Sequence, residues 1–317
     1  MLMKTTESTF PRLNRGYSQL FRPGQLTVGL VVPIENYANG PLPSLTDHVE
    51  RVQLAEALGF GAVWLRDIPF NVPSFGDAGQ LYDPFVYLGL LAGKTSRITL
   101  GVASIILPLR DPVHTAKAAA SVDVLTGGRV VLGVASGDRP QEYPRFGVDH
   151  ASRGQGFRDS YAAIRSLAQS DASPDGIELL PKPVAGRIPL MITGSSQQSE
   201  AWLTQHGDGW MTYPRDASIQ AALIAQYRQR SQGSGRAAMP VMEPLYIDLA
   251  EDADAPPRKI HLGYRLGARH LRSYLQERRR IGVNHVALNL RFNQAAPEFT
   301  LQQLADHVLP EFPNHKD

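Results

Sequence analysis

Side chains capable of chemistry are sparse in this chain, and most of them stand where short apolar runs end. The chain has 317 residues and no cysteine, which excludes thiolate nucleophiles, iron–sulfur clusters and disulfides. The run ends hold few histidines or paired carboxylates, no His-x-His pair and no lysine suited to a Schiff base. Such a site favours a bound organic cofactor that carries the reaction. The run ends are the segments 33–35, 66–68, 104–107, 136–139, 193–196, 212–214, 248–251 and 289–291.

The segment Gly194–Ser195–Ser196 has the composition of an anion-binding turn. It follows an apolar run and opens a predicted helix over about 196–206, so its hydroxyls and free amides suit a phosphate. In the alternative interpretation, Ser195 or Ser196 only caps that helix, and Gln198 completes a capping box. Both interpretations remain open at the level of the sequence.

Arg139 is a second candidate for binding an anion. It follows Gly137 and Asp138 after a predicted strand, and a guanidinium group binds a phosphate through two hydrogen bonds. The alternative is a salt bridge within the loop, to Asp138 or Glu142. Arg291 ends another predicted strand, where it either faces an anionic substrate or is a solvated charge.

Eight β-rich runs alternate with eight helical segments, and these elements must position the candidate residues. The predicted strands are 26–35, 60–67, 97–107, 129–136, 188–193, 208–213, 244–251 and 284–292. Eight such units over this length predict an α/β fold of the (β/α)8 TIM-barrel type, whose active sites lie at the carboxyl ends of the strands. A doubly wound sheet is the alternative, but the turn after the first strand carries no G-x-G-x-x-G.

We predict a single barrel domain over residues 1–317. Residues 1–25 form an arm that packs either on the barrel or on a partner subunit. Residues 137–187 form an insertion between strands 4 and 5, which contains about one helix and too little else for its own core. The helix 113–125 is Ala-rich and apolar on more than one face, which predicts close contact with a second subunit. In the alternative interpretation, the alanines pack only on the helix's own barrel.

Composition narrows the class of protein. Apolar residues make up 43% of the chain and charged residues 20%, as in ordinary globular proteins. The net charge is +2 and the basic residues are scattered, so we expect no nucleic-acid partner. No apolar run is long enough to span a bilayer and no secretory signal is visible, so we expect a cytoplasmic protein without a membrane partner.

Ser44 and Asp111, the latter followed by Pro112, predict the starts of two helices.

Three segments of the chain resemble the bacterial luciferase-like flavin monooxygenases, a superfamily that also includes F420-dependent reductases. Residues 97–137 combine a strand, Pro-x-Arg-x-Pro, a helix ending in Gly-Gly-Arg and a strand ending in Gly. ALGFGAVWLRD at 57–67 and PLMITGSSQQSEAWLTQHGDGWMTY at 189–213 support the resemblance. WLRDIP and ASGDRP look like the small luciferase-type oxidoreductase subgroup. The similarity runs from about residue 26 to residue 309.

The resemblance implies an enzyme that binds reduced FMN and uses O2 to transfer one oxygen atom to a small organic substrate. It also implies a separate flavin reductase as the supplier of reduced flavin, and a homodimer. It places the phosphate at the Gly194–Ser196 turn, and a cis non-proline peptide at Ser104–Ile105 beside the flavin ring. The candidate cofactor-binding residues are Asp67, Ala103, Ser104, Ile105, Gly137, Arg139, Gly194, Ser195, Ser196, Ser199 and Tyr213.

The chain departs from the family pattern at two positions. Ile68 stands where many relatives have a histidine for acid–base work, so no catalytic residue is assigned. Ser136 stands where luciferase has an arginine for the phosphate, a role that Arg139 would take. Asp67 either faces the flavin or pairs with Arg66. Two alternatives accompany the FMN monooxygenase: an F420-dependent hydride-transfer enzyme on the same barrel, and a non-catalytic flavin-binding protein.

Overall fold

Eight parallel strands close into a barrel in the computed structural model of the chain, which describes residues 9–40, 42–169 and 176–314. The ten strands of the described chain are β1 (Thr27–Val31), β2 (Ala62–Leu65), β3 (Thr99–Ile106), β4 (Val130–Ala135), β5 (Leu190–Thr193), β6 (Trp210–Met211), β7 (Val241–Leu249), β8 (Arg258–Ile260), β9 (Gly263–Leu266) and β10 (His285–Asn289). All except β8 and β9 belong to the barrel, which closes because β10 pairs with both β1 and β7. The predicted (β/α)8 TIM barrel is confirmed, and a doubly wound sheet is excluded.

The hairpin formed by β8 and β9 was not predicted. β9 pairs in parallel with the second half of β7, and β8 pairs antiparallel with β9. The two strands are only three and four residues long and carry Arg258, Lys259 and Arg265. Such short, charged strands lack the apolar alternation on which a strand prediction depends.

Nine α-helices of the described chain surround the barrel or lie at its ends. They are α1 (Arg15–Leu20), α2 (His48–Leu58), α3 (Pro84–Ala92), α4 (Pro112–Thr126), α5 (Arg153–Gln169), α6 (Glu200–His206), α7 (Ala217–Gly233), α8 (Ala268–Arg280) and α9 (Pro297–His307). Among the residues described, no helix combines the length and apolar character needed to cross a membrane.

The predicted helix starts differ in outcome. Asp111 caps α4, because its carboxylate accepts a hydrogen bond from the amide of His114 at 2.8 Å. Ser44 does not cap α2, since its amide and hydroxyl both donate to the carboxylate of Glu35, and α2 starts only after Asp47. The serine that was predicted to cap α2 is therefore bound to the buried carboxylate of Glu35, four residues after β1.

α6 also begins later than predicted. Its capping residue is Ser199, whose hydroxyl accepts from the amide of Trp202 at 3.3 Å. Gly194, Ser196 and Gln197 have positive φ angles of 56°, 47° and 60°, which a right-handed helix does not contain. The segment 194–197 is therefore a separate turn, and neither Ser195 nor Ser196 caps α6.

The described part of the arm, residues 9–25, packs on the barrel. α1 lies under the amino-terminal end of the strands, where the amide of Gly16 donates to the carbonyl of Gly128 at 2.8 Å. The hydroxyl of Tyr17 donates to the carbonyl of Asp208 at 2.6 Å. Of the two partners proposed for the arm, the barrel is the one contacted. The arm's apolar side chains join the cluster that fills the barrel interior: Phe10, Leu13, Tyr17, Leu20 and Phe21.

The insertion region 137–187 contains α5 and two short 3-10 turns at 143–146 and 150–152. α5 packs against α4 on the outside of the barrel. Part of the Pro-rich excursion predicted after α5, residues 170–175, lies outside the described residues. The assignment of the whole chain to one domain stays a prediction.

Candidate active site

The carboxyl end of β3 contributes two adjacent side chains to the barrel interior. The Ala103–Ser104 peptide is cis, one bond before the predicted position, and β3 shifts its register against β4 between Val102 and Ile105. Ala103 packs on the interior cluster, and the hydroxyl of Ser104 forms a hydrogen bond with that of Thr193 on β5. Both side chains therefore face the space at the mouth of the barrel.

The side chain of Ile105, a predicted cofactor-binding residue, points away from the barrel interior. Its fully buried side chain belongs, like that of Val102, to the core between the barrel and the surrounding helices. Because of the register shift, the two residues between them both face inward. The side chain of Ile105 is therefore not available to a ligand in the barrel mouth.

Both carboxylate oxygens of Asp67, two residues after β2, accept hydrogen bonds from neighbouring residues. Its carboxylate accepts from the Nε and Nη2 atoms of Arg110 at 2.8 and 2.7 Å and from the amide of Ile106 at 3.0 Å. The predicted alternative, a pair with Arg66, is wrong, because Arg66 pairs with Asp77 instead. Asp67 thus ties the end of β2 to the end of β3.

The turn 194–199 stands at the ends of β5 and β6. The amide of Gly194 donates to the carbonyl of Met211 at 2.8 Å, and the hydroxyl of Ser196 donates to the carbonyl of Thr193 at 2.8 Å. Ser195 is exposed instead and, with Gly194, lines a cavity of about 370 Å³. Ser195 is therefore the better placed of the two predicted serines to bind a ligand.

Arg215 is a cation beside this turn that the sequence analysis missed. It lines the same cavity, and its Nη1 atom donates to the hydroxyl of Thr212 at 2.8 Å. Its position just after the sixth strand was the available signal, since strand ends are where ligands bind in this fold. Tyr213, two residues earlier, is 58% exposed, so the proposed alternative of core packing is wrong for it.

Gly137, after β4, is required by the local structure. Its φ angle is +79°, and a Cβ atom there would lie 2.6 Å from the hydroxyl oxygen of Tyr143. That hydroxyl donates to the carbonyl of Ser136, which fixes the exit of the chain from β4. A side chain at Gly137 would therefore disturb the loop that carries Arg139.

Arg139 is buried, with 8% of its surface exposed. Its Nη2 atom donates to the carbonyl of Asp77 at 3.3 Å, and its guanidinium lies 4.6 Å from the ring centroid of Phe75. These contacts replace the predicted salt bridge to Asp138 or Glu142. Burial, together with the nearby charge of Arg66, lowers the pKa of Arg139.

Asp77 gathers charged groups from several strand ends. Its Oδ2 atom lies 2.5 Å from Nη1 of Arg66 and 3.1 Å from Nη1 of Arg291. The hydroxyl of Tyr37 donates to its Oδ1 atom at 3.2 Å. Burial opposes ionisation of Asp77, but the guanidinium of Arg66 outweighs it and holds the pKa of the carboxyl below its usual value.

The fold and this site define a TIM-barrel enzyme whose ligand-facing groups lie at the carboxyl ends of the strands. Within the part of the chain that the structure describes, no group of three or more His, Asp or Glu side chains is arranged to hold a metal ion. The family model described as luciferase-like monooxygenase matches residues 26–306, so the chain belongs to that family. Its members use reduced flavin or F420, and membership makes the chain an enzyme rather than a non-catalytic flavin-binding protein.

Named relatives include users of both cofactors. The chain is 29% identical over 227 residues to the F420-dependent hydroxymycolic acid dehydrogenase of Mycobacterium tuberculosis, covering 68% of this chain and 60% of that protein. It is 32% identical over 130 residues to the oxygenase component of the flavin-dependent trigonelline monooxygenase of Acinetobacter baylyi, covering 40% and 35%. The structure of monooxygenase RslO1 from Streptomyces bottropensis superposes with a TM-score of 0.75 at 17% identity, covering 90% and 99%. The last similarity concerns the fold alone.

Proposed function

We propose that this enzyme is a cytoplasmic FMN-dependent monooxygenase that oxidises a small organic substrate with O2 and receives reduced flavin from a separate reductase. The oxygenase component from Acinetobacter supports both the flavin and a separate reductase, because it is one part of a flavin-dependent enzyme. The observation that carries the binding of a phosphate-bearing cofactor is the turn 194–199, with an exposed serine hydroxyl and the charge of Arg215 beside one cavity. The choice of flavin is supported by the Acinetobacter relative.

The residues at the barrel mouth fit a flavin. Ser195 and Arg215 would bind its phosphate, since a hydroxyl and a guanidinium are both good phosphate donors. Ala103 and Ser104 would face the ring system from the end of β3. Reduced flavin supplies the electrons with which such enzymes activate O2. Ile68 offers no proton donor, so the acid–base residue stays unassigned.

An F420-dependent hydride transfer is the second candidate function, because the mycobacterial dehydrogenase is a relative over two thirds of this chain. Both cofactors carry phosphate, so the turn 194–199 suits either. Anaerobic titration with reduced FMN and with F420, followed by absorbance, separates them. We expect binding of FMN, and O2-dependent turnover with a flavin reductase; tight binding of F420 alone would replace the proposal by the second candidate.

The phosphate assignment is tested by Ser195→Ala. FMN and riboflavin differ only in the phosphate, so the ratio of their dissociation constants reports that contact. We expect the preference for FMN to fall about tenfold or more, as for loss of a hydrogen bond to a charged group. Ser196→Ala is the matched control, because its hydroxyl already donates to the carbonyl of Thr193. A ratio that is the same in both variants contradicts the assignment.

We also propose a homodimer that forms through α4. This helix exposes Val113, Val124 and Leu125, whose exposed fractions are 51%, 43% and 67%. Burial of such side chains between subunits is favourable because it removes apolar surface from water. Light scattering at micromolar concentration is expected to give the mass of a dimer, and that of a monomer for Val124→Lys with Leu125→Lys. A monomeric wild-type protein contradicts this proposal.

A further inference from the structure

Three guanidinium groups meet at the carboxyl end of the barrel, and we call Arg66, Arg139 and Arg291 the arginine cluster. Arg66 and Arg291 pair with the carboxylate of Asp77, and Arg139 donates to the backbone carbonyl of the same residue. The second acid nearby is Glu142, which is buried, and burial raises the pKa of its carboxyl although Arg139 opposes this. A third acid, Asp138, lies close to Arg139. Neither Glu142 nor Asp138 forms an ion pair with the cluster among the described residues, so Asp77 is the acid that contacts the three arginines directly.

Two nitrogen atoms of the cluster lack partners. Nη1 of Arg139 and Nε of Arg291 are buried and form no hydrogen bond with any described residue. Arg139 is more than nine-tenths buried, so solvent does not readily replace the missing acceptor. Folded proteins pair the great majority of their buried donors. Unpartnered arginine nitrogens occur elsewhere in the described chain, on Arg187 and Arg228 for example. Here two of them belong to cations joined through Asp77 at the carboxyl end of the barrel, where ligands bind in this fold.

The position of the cluster distinguishes an anion bound there from the cofactor phosphate. Arg66 follows β2 and Arg291 follows β10, and these two strands flank β1 in the barrel. Arg139 comes from the loop after β4, but its guanidinium contacts Phe75 and Asp77 in the loop after β2. The turn 194–199 follows β5, which in a closed ring of eight strands lies opposite β1. One ligand held at that turn and another held at the cluster would approach the mouth from opposite sides.

We infer that the arginine cluster binds the carboxylate of an anionic substrate, with Arg139 and Arg291 donating to it while Asp77 holds the guanidinium groups in place. The inference rests on the proposed function, because it assigns the substrate class of the same site. Each guanidinium would donate through its one unpartnered nitrogen, so the carboxylate would accept one charge-assisted hydrogen bond from Arg139 and one from Arg291. A neutral amide or alcohol carries no charge and accepts such bonds less strongly.

Binding of matched carboxylates and amides to the flavin-free protein tests the inference. The probes are benzoate with benzamide and, for a smaller pocket, acetate with acetamide, each measured by calorimetry. We expect the carboxylate of at least one pair to bind about tenfold more tightly than the amide. Arg139→Gln and Arg291→Gln should each remove that preference, and Arg269→Gln, on an exposed helix face, should keep it. Equal binding of both members of each pair to the wild-type protein overturns the inference.

The other source of the same chemistry is the cofactor phosphate. If Arg139→Gln lowers the preference for FMN over riboflavin and leaves benzoate binding unchanged, the cluster serves the cofactor and the substrate assignment is wrong. Arg139→Lys and Arg291→Lys keep the charge but not the position of the unpartnered nitrogen, so a partial preference is expected should a glutamine variant fail to fold. Because the probes are measured without flavin or O2, a protein that prefers benzoate but binds no FMN refutes the proposed function and not the cluster.

Discussion

Buried charges are arranged differently at the two ends of the barrel. At the amino-terminal end, the carboxylate of Asp208 accepts from Arg165, Arg187 and the amide of Leu190. At the carboxyl end, Arg139 lies buried with one guanidinium nitrogen unpartnered. Asp208 thus pairs with two opposite charges, whereas Arg139 forms no ion pair with any described residue.

His285, also at the amino-terminal end, has both of its ring nitrogens hydrogen-bonded. Nε1 of Trp64 donates to Nε2 of His285 at 2.8 Å, so the ring proton must be on Nδ1. Nδ1 then donates to the hydroxyl of Thr27 at 2.7 Å, and that hydroxyl donates to the carbonyl of Leu20 at 3.0 Å. This chain of bonds joins the barrel interior to α1 and uses every polar atom of the ring.

The difference indicates a division of labour that TIM barrels share, with stability at one end and ligand binding at the other. Breaking a buried ion pair destabilises the folded protein, because it leaves one charge buried without a partner. A charge that is already unpaired lowers the stability of the folded protein until a ligand pairs with it. Substitutions at the amino-terminal end should therefore mainly lower the free energy of unfolding, whereas substitutions at the carboxyl end should mainly weaken ligand binding.

The largest effect is expected for Asp208→Asn. The change leaves Arg165 and Arg187 without the carboxylate they share, so the free energy of unfolding should fall by about 3–5 kcal/mol. Asp254→Asn is the control, since its pair with Arg269 is exposed and is worth about 1 kcal/mol or less. Urea unfolding followed by tryptophan fluorescence measures both. A similar loss for the two variants would remove the distinction on which the comparison depends.

Arg139→Gln is the counterpart at the carboxyl end. It removes a buried cation that is incompletely paired, so we expect the free energy of unfolding to change by less than about 1 kcal/mol. The same urea titration measures it. A loss as large as that of Asp208→Asn would mean that Arg139 is a structural cation, and the contrast between the two ends would fail.

The next effect concerns pH. Burial lowers the pKa of His285 to about 3, below its usual 6.5. Between these values the unfolded chain binds a proton that the folded protein does not, so stability is lost as pH falls below about 6.5. The slope approaches about 1.4 kcal/mol per pH unit.

His285→Gln cannot make this contribution. The unfolding free energy of the wild-type protein should therefore approach that of the variant by about 2.5 kcal/mol between pH 6 and pH 4. Other groups, including Glu243, whose pKa burial raises to about 7, titrate in both proteins and cancel in the difference. Parallel pH profiles would show that His285 is not the buried neutral group described here.

Asp67→Asn is expected to have a smaller effect, about 2 kcal/mol on unfolding, because Arg110 keeps a second partner in Asp83. Asp67 fixes the amide of Ile106, near Ala103 and Ser104 on the same strand. The affinities for FMN and for riboflavin should therefore fall by the same factor. Titration of both flavins measures this. Lost flavin binding with unchanged stability would instead mean that the carboxylate touches the flavin, as first predicted from the sequence.

The strands could be predicted because the pattern that indicates each strand lies within a few consecutive residues. The run 129–136 is almost continuously apolar, and β4 spans Val130–Ala135 within it, as expected when both faces of a strand are covered. The cap of α4 was equally local, since Asp111 and Pro112 are adjacent. Both predictions depended only on neighbouring residues.

The site was less predictable because its contacts join distant parts of the chain. Asp67 pairs with Arg110, 43 residues away, although the adjacent Arg66 was the obvious partner. Ser195 and Ser196 looked equivalent in sequence, yet only Ser196 donates to the carbonyl of Thr193. Which donor is left free is decided by backbone angles that no residue type specifies, such as the positive φ of Ser196.

The smallest effect separates a capping serine from a ligand-binding one. Ser199 accepts from the amide of Trp202 at the start of α6, so Ser199→Ala should lower the free energy of unfolding by about 1 kcal/mol, as for loss of an N-cap. Ser195→Ala should leave stability unchanged, because Ser195 is exposed and outside the helix. The flavin titration should give the reverse order, with Ser195→Ala losing the preference for FMN and Ser199→Ala keeping it. If Ser199→Ala also loses that preference, its hydroxyl contacts the phosphate as the family resemblance implies, and the phosphate site extends from Ser195 to the capping residue of α6.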